Sequence, residues 1–360
     1  MQNIIKFVKD KSYYFLGGTV LILVIIIAIS ACSSNFSSSY TSIENKMVSS
    51  AKKYYNSNPN LLPKEVGGKV RVSIATLVDE ELIKEVYDVK DKNNKCSGYV
   101  EVTKVEDDYS YIPFLTCKGN YEPRYLSDKV KDSKLDEYGN GSYEVEGEYI
   151  YRGDDVNNYV KFNNRLWRIV KVDKDGDIKI ILSEELKELR MSYDDSYNSD
   201  ANHNYGIVTN YGKTYIRKNL KTYYEKEFDN DSKAKIVAKN LCVGSYAEED
   251  EYSKEKDCSV VAENEVIGLL TAYDYKMASL SDKCIKLSDN ACSNYNYLSD
   301  VYTWLSNTKT NSSYEAFFLN GNIRSSYAKT RIIVQPALYL SKDVLTLKGV
   351  GTLEKPYIIK

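Results

Sequence analysis

Chemistry in this chain would have to come from three kinds of residue: a run of acids, a belt of aromatic and amide side chains, and the seven cysteines. The acids of Asp173-Lys174-Asp175-Gly176-Asp177 alternate as calcium ligands do. Gly176 comes too early for an EF-hand, however, and the following IKIIL has the pattern of a strand, so the run reads as a hairpin turn. Between Tyr295 and Tyr327, Tyr302, Trp304, Asn320 and Asn322 offer rings to stack on a sugar and amides to take its hydroxyls. The competing reading makes Trp304, like Trp167, a core anchor and the asparagines turn markers.

Other chemistry lacks its residues. The one histidine, His203, has no evident partner, and there is no CxxC, so a zinc site lacks its usual ligand spacing. Nucleophile-elbow, zinc-protease and phosphate-loop motifs are missing. Paired carboxylates for sugar hydrolysis would be a spatial arrangement, and nothing in the sequence singles out two of the many acids. No cofactor is implied. A net charge of −2 leaves no overall basic footprint for nucleic acid.

The cysteines speak of compartment. Apart from Cys32, the six others fall into neighbouring pairs: Cys96 with Cys117, Cys242 with Cys258, and Cys284 with Cys292. The first pair brackets two alternating runs around Glu106-Asp107-Asp108, and a hairpin brings its open ends together. Local pairing is one of several connectivities, and it fits an oxidising compartment.

Export has its own signal. Residues 13–31, YYFLGGTVLILVIIIAISA, carry no charge and approach the roughly 30 Å span of a bilayer core. Lys6, Lys9 and Lys11 precede the run, which places the N-terminus inside and the bulk outside. Ile29-Ser30-Ala31-Cys32 resembles a lipobox, so Cys32 is a candidate lipid attachment site. The uncleaved single-pass anchor and the lipoprotein both leave the chain on the membrane, in contact with lipid.

These groups need elements to hold them. With 42% hydrophobic residues and 34 tyrosines, the chain can fill cores, and an α+β architecture in two units follows from its patterning. Beyond a cytoplasmic tail (1–12), the anchor or signal (13–31) and a tether (32–39), residues 40–57 have the spacing of an amphipathic helix. Ile43, Met47, Val48, Ala51, Tyr54 and Tyr55 form its apolar side. VRVSI (70–74) alternates as a strand, and Thr76 is placed to cap a helix LVDEELIKEVYD. With the cysteine-closed hairpin this makes a small stalk-like unit over 40–120. Residues 121–142, rich in charge, Gly, Asn and Ser, read as a linker. The larger unit, 143–360, holds a three-strand meander over 159–184 with turns at Asn163-Asn164 and Asp175-Gly176. A helix over 214–228 and strand-like runs toward the end complete it.

Two resemblances add to this. Asn164-Arg165-Leu166-Trp167-Arg168-Ile169-Val170, Ile267-Gly268-Leu269-Leu270-Thr271, Val334-Gln335-Pro336-Ala337-Leu338-Tyr339-Leu340 and Gly351-Thr352-Leu353-Glu354-Lys355-Pro356-Tyr357-Ile358-Ile359 resemble an uncharacterised domain of surface proteins in low-GC Gram-positive bacteria. Gln335 stands where that family often has arginine. The resemblance implies no catalytic residues and a layout similar to C-type-lectin-like folds. Lys46-Met47-Val48-Ser49-Ser50-Ala51-Lys52-Lys53-Tyr54-Tyr55, following an apolar run, resembles the stalk of pilin-like proteins, though Leu23 stands where that family has glutamate. The expectation is a membrane-anchored, extracellular, non-catalytic protein that binds a cell-surface or host ligand, glycan or protein. The alternatives are a structural part of a pilus-like or envelope assembly, and a cell-wall hydrolase.

Overall fold

The computed structural model describes residues 40–360, so the apolar run 13–31, the tether and Cys32 lie outside it. Among the described residues no helix is long and apolar enough to cross a membrane. The fold is mixed α+β, with sheets dominant, and it divides after Pro123 into two compact units.

In the smaller unit, residues 40–57 form helix α1. Its buried side runs through Tyr40, Glu44, Met47, Ala51 and Tyr55, while Ile43 and Val48 are only half-buried. Polar contacts account for the rotation. Tyr40 Oη donates to Asp88 Oδ1 at 2.5 Å, Tyr121 Oη donates to Glu44 Oε1 at 3.1 Å, and the Tyr40 and Tyr121 rings stack at 4.1 Å. Strands β1 (Lys69–Ser73), β2 (Ser97–Val105) and β3 (Asp108–Thr116) make an antiparallel sheet. Helix α2 (Ile74–Asp79) is shorter than expected and is capped by Ser73, whose hydroxyl accepts from the Thr76 amide. It cannot run on through LIKEVYD because Glu81 takes a φ of 58°. Cys96–Cys117 closes the open end of the β2–β3 hairpin, beside the Ser97–Thr116 register pair.

The larger unit begins earlier than the expected linker allows. β4 (Arg124–Tyr125) joins its main sheet, and α3 (Leu126–Lys131) buries Leu126 and Val130 in its core. That single i, i+4 pair is too short a stripe to stand out in a polar stretch. β5 (Gly141–Val145), β6 (Glu148–Arg152), β7 (Tyr159–Phe162), β8 (Arg165–Val172) and β9 (Ile178–Leu182) follow. The β7–β8–β9 meander turns at the two places its sequence marks. Every residue of β9 is buried, which fits a central strand covered on both faces.

Helix α4 (Tyr215–Glu227), capped by Thr214, packs Ile216, Leu220, Tyr223 and Tyr224 inward. β10 (Lys239–Cys242) pairs with β11 (Val261–Glu265), and the short helix α5 (Lys254–Asp257) lies between them in sequence. Cys242–Cys258 ties the end of α5 to β10, and Cys284–Cys292 closes a shorter loop. Helix α6 (Ala272–Ala278) follows, with Thr271 and Asp274 forming a reciprocal capping box. β12 (Tyr302–Lys309), β13 (Glu315–Asn320) and β14 (Asn322–Tyr327) form a second sheet. β15 (Ala337–Leu340), β16 (Leu345–Lys348) and β17 (Tyr357–Ile359) return to the first, where β17 pairs parallel with β7.

Candidate functional site

The aromatic belt does not form the expected ligand site. Trp304 is fully buried, its Nε1 donating to the Met191 carbonyl at 3.2 Å and its ring set edge-on to Tyr193 and Phe318. Strand β12 is covered on both faces from Thr303 to Thr308, so no sugar can stack on that indole. Trp167 is likewise a core residue, bonded to the Phe162 carbonyl. Tyr302 packs edge-on against Phe318, and its amide donates to Gln335 Oε1. Asn320 and Asn322 flank the Gly321 turn, as turn markers do. Gln335 is itself a buried clasp, donating from Nε2 to the Leu182 carbonyl at 3.0 Å.

Two clefts in the larger unit bring together groups that the sequence keeps far apart. The first, about 440 Å3, is lined by β10 and by charged side chains from β6, β8, β9, α5 and α6. Lys179, inside the aliphatic run of β9, meets Asp274 Oδ2 at 2.5 Å, and each side chain is 5% exposed. Asp274 has little freedom, since the same oxygen accepts from the Thr271 amide in the capping box. Lys171 and Lys254 both reach Glu148, at 3.3 and 3.0 Å. Burial works against charge on Lys171 and Lys179, yet the neighbouring Asp274 and Glu148 carboxylates hold Lys171 above its ordinary range, and Asp274 does the same for Lys179. Asp274 is held below its own range by those two ammonium groups, in spite of its burial.

Asp257 differs. It is 3% exposed and has no cation bonded to it among the described residues; Oδ1 accepts from Asn307 Nδ2 at 2.9 Å and Tyr246 Oη at 3.2 Å. Burial, helped by the nearby Asp274 charge, pushes its carboxyl up to about 6.

The acidic turn between β8 and β9 sits at the rim of this cleft. Asp173, Asp175 and Asp177 do converge, with ligand atoms within 4.8 Å of one another. What they surround is the Lys239 ammonium, at 2.9, 2.8 and 2.6 Å. An internal cation therefore occupies the centre that a calcium ion would need, and the hairpin reading describes the turn.

The second cleft, about 590 Å3, is lined by β11, by the loop before α4 and by the end of β12. Its character is the reverse of the first. Thr209, Asn210, Ser245, Glu263 and Asn311 line it, and among the described residues their side chains make no hydrogen bond or ion pair. Tyr193 and Tyr211 supply aromatic wall, packed edge to face at 6.3 Å. Arg217 Nε is fixed to Glu265 Oε1 at 2.6 Å. Two buried atoms in this wall have no hydrogen-bond partner among the described residues, the Tyr211 phenol oxygen and Glu265 Oε2, the latter 3.7 Å from Lys221 Nζ. Burial and the Glu265 charge raise the Tyr211 phenol, which keeps it a donor. The Tyr211 phenol thus stands unmatched behind this pocket, while Glu265 Oε2 has only its longer ion pair with Lys221.

His203 has a structural part: its ring stacks on Tyr205 at 4.4 Å, and its backbone bridges to Asn198. Sequence reasoning missed Lys171, Lys179 and Glu148 because alternation in a strand makes them look like a solvated face. The one signal was Lys179 set among Ile178, Ile180, Ile181 and Leu182. No protein-family model, curated protein or solved structure matches this chain.

Proposed function

We propose that this chain is a membrane-anchored, outward-facing, non-catalytic binding protein whose larger unit takes a glycan in the polar pocket. The observation that carries the reading is the contrast in engagement between the two clefts. In the charged cleft the acids and lysines already answer one another, so a ligand would have to compete with pairs formed in a poorly solvated place. In the polar pocket, exposed hydroxyl and amide groups stand without partners among the described residues, which is the chemistry that receives sugar hydroxyls, while the Tyr193 and Tyr211 rings behind them are buried. The apolar run 13–31, or lipid on Cys32, supplies the anchor, and the disulfides fit an oxidising exterior.

The test is a glycan array and isolated cell walls, probed with the full-length chain in detergent. Saturable binding that disappears in Asn210→Ala/Asn311→Ala, with the fold retained, is the expected result. Binding that survives the double variant would remove the pocket from the account, and silence across array and walls would remove the glycan.

A second reading, an envelope assembly subunit, draws on the smaller unit. There an open groove of about 1190 Å3 runs between α1 and residues 82–87, with Ile43, Leu82 and Ile83 half-exposed along it. Assembly predicts high-mass species crosslinked through residues 40–60, and a strictly monomeric extract would count against it.

A further inference from the structure

The polar pocket adjoins a second groove of about 790 Å3, and the two share Gly212 and Arg217. This groove follows the outer side of α4, where Arg217 and Lys221 lie one turn apart on the helix, and Lys213 lines it from the turn just before the helix. Lys218 and Lys226 line it as well. Against these five cations stands one lining carboxylate, Glu225, and Lys233 already holds it at 2.5 Å.

The positive charge is under-compensated. Arg217 and Lys221 share the single charge of Glu265, and Lys226 meets Glu227 at 3.3 Å. Lys213 and Lys218 meet no carboxylate among the described residues. In a chain whose net charge is −2, this concentration does not follow from composition. Like charges four apart on a helix repel by some tenths of a kcal/mol. A polyanion laid along the groove would turn that repulsion into attraction.

The shape of the site narrows the partner. The apolar side of α4 is buried in the core, so the helix has nothing to insert into lipid. A flat membrane could touch the cations of the groove but could not enter the adjoining pocket, whereas an extended chain of rings fits both.

We infer that the ligand is a polyanionic saccharide chain, bearing carboxylate or phosphate groups, with one end in the polar pocket and the rest in the groove lined by Lys213, Arg217, Lys218 and Lys221. This rests on the glycan reading of the pocket and names the class of glycan.

The full-length chain in detergent would be titrated with a galacturonate oligomer and with its methyl ester, which keeps the backbone and removes the charge. The expected result is binding of the charged oligomer about tenfold tighter at low salt, with the advantage shrinking as salt is added. Lys213→Gln/Lys218→Gln, two exposed positions without ion-pair partners, should erase the advantage and leave ester binding unchanged. Equal affinity for the two oligomers, or a preference that survives the double variant, would overturn the inference while leaving the pocket reading intact. Failure of both oligomers, together with silence on array and walls, would bring down the glycan reading and this inference with it. Tighter binding to phosphatidylglycerol vesicles than to the oligomer would give the groove to a membrane surface and also overturn it.

Discussion

The charged cleft and the polar pocket are lined by the two strands of one hairpin, β10 for the first and β11 for the second, yet their polar groups behave in opposite ways. In the charged cleft Lys179, Asp274, Lys171, Glu148 and Lys239 are each held by a partner within the chain. In the pocket the side chains of Thr209, Asn210, Ser245, Glu263 and Asn311 have no partner among the described residues. Charge taken out of water must be paired where it stands, whereas amides, hydroxyls and the exposed Glu263 carboxylate at a rim stay solvated until a ligand arrives. The same density of polar side chains is therefore cohesion in one place and reception in the other.

Unpairing the charged cleft should have the largest effect on stability. Asp274→Ala leaves Lys179 buried without its counter-charge and should lower the stability of the larger unit by about 3–5 kcal/mol. Lys179→Met/Asp274→Leu, which removes both charges, should recover most of it in urea unfolding. If the single variant unfolds like the wild type, the pair is not the cohesive element described. Replacing Cys242 and Cys258 by serine opens a loop closed over a separation of 16 residues and should cost about 3 kcal/mol. Thermal melts without reductant would show this as a lower Tm for the double variant, and reductant should cost the wild type more than the variant, which keeps Cys96–Cys117 and Cys284–Cys292.

Asp257 gives a pH signature. A carboxyl raised to about 6 in the folded chain contributes stability that is complete below the unfolded value near 4 and is lost as pH rises through 6. Asp257→Asn keeps the shape and removes the titration. The wild type should lose about 2–3 kcal/mol relative to this variant between pH 4 and pH 7. A difference that stays flat across that window would show that Asp257 is not held protonated. The smallest effect on stability belongs to the pocket: Asn210→Ala/Asn311→Ala should shift unfolding by no more than about 0.5 kcal/mol while abolishing glycan binding. A large loss of stability there would erase the distinction between the clefts.

Much of the fold was legible in short stretches. Thr214 and the spacing of Ile216, Leu220, Tyr223 and Tyr224 marked α4, and Asp175-Gly176 marked the β8–β9 turn. Less was legible where an element is short or its environment is set from elsewhere. α3 was read as linker because two buried residues make no visible pattern, and α2 was read too long because nothing in LIKEVYD announces the turn at Glu81. Trp304 was offered as a ligand platform on the strength of its polar neighbours. Its strand lies between covered faces, and Trp304→Ala would cost core stability rather than report on binding.

By itself the sequence determined what is decided between residues a few positions apart: helix spacing, caps, turns, and cysteines near enough to close small loops. Backbone geometry holds such residues together before any tertiary contact forms. Only the tertiary structure decided which charges meet, because Lys179 and Asp274 are 95 residues apart and Asn307 and Asp257 are 50. It also decided which polar groups were left without a partner, since that depends on every surface that closes around them.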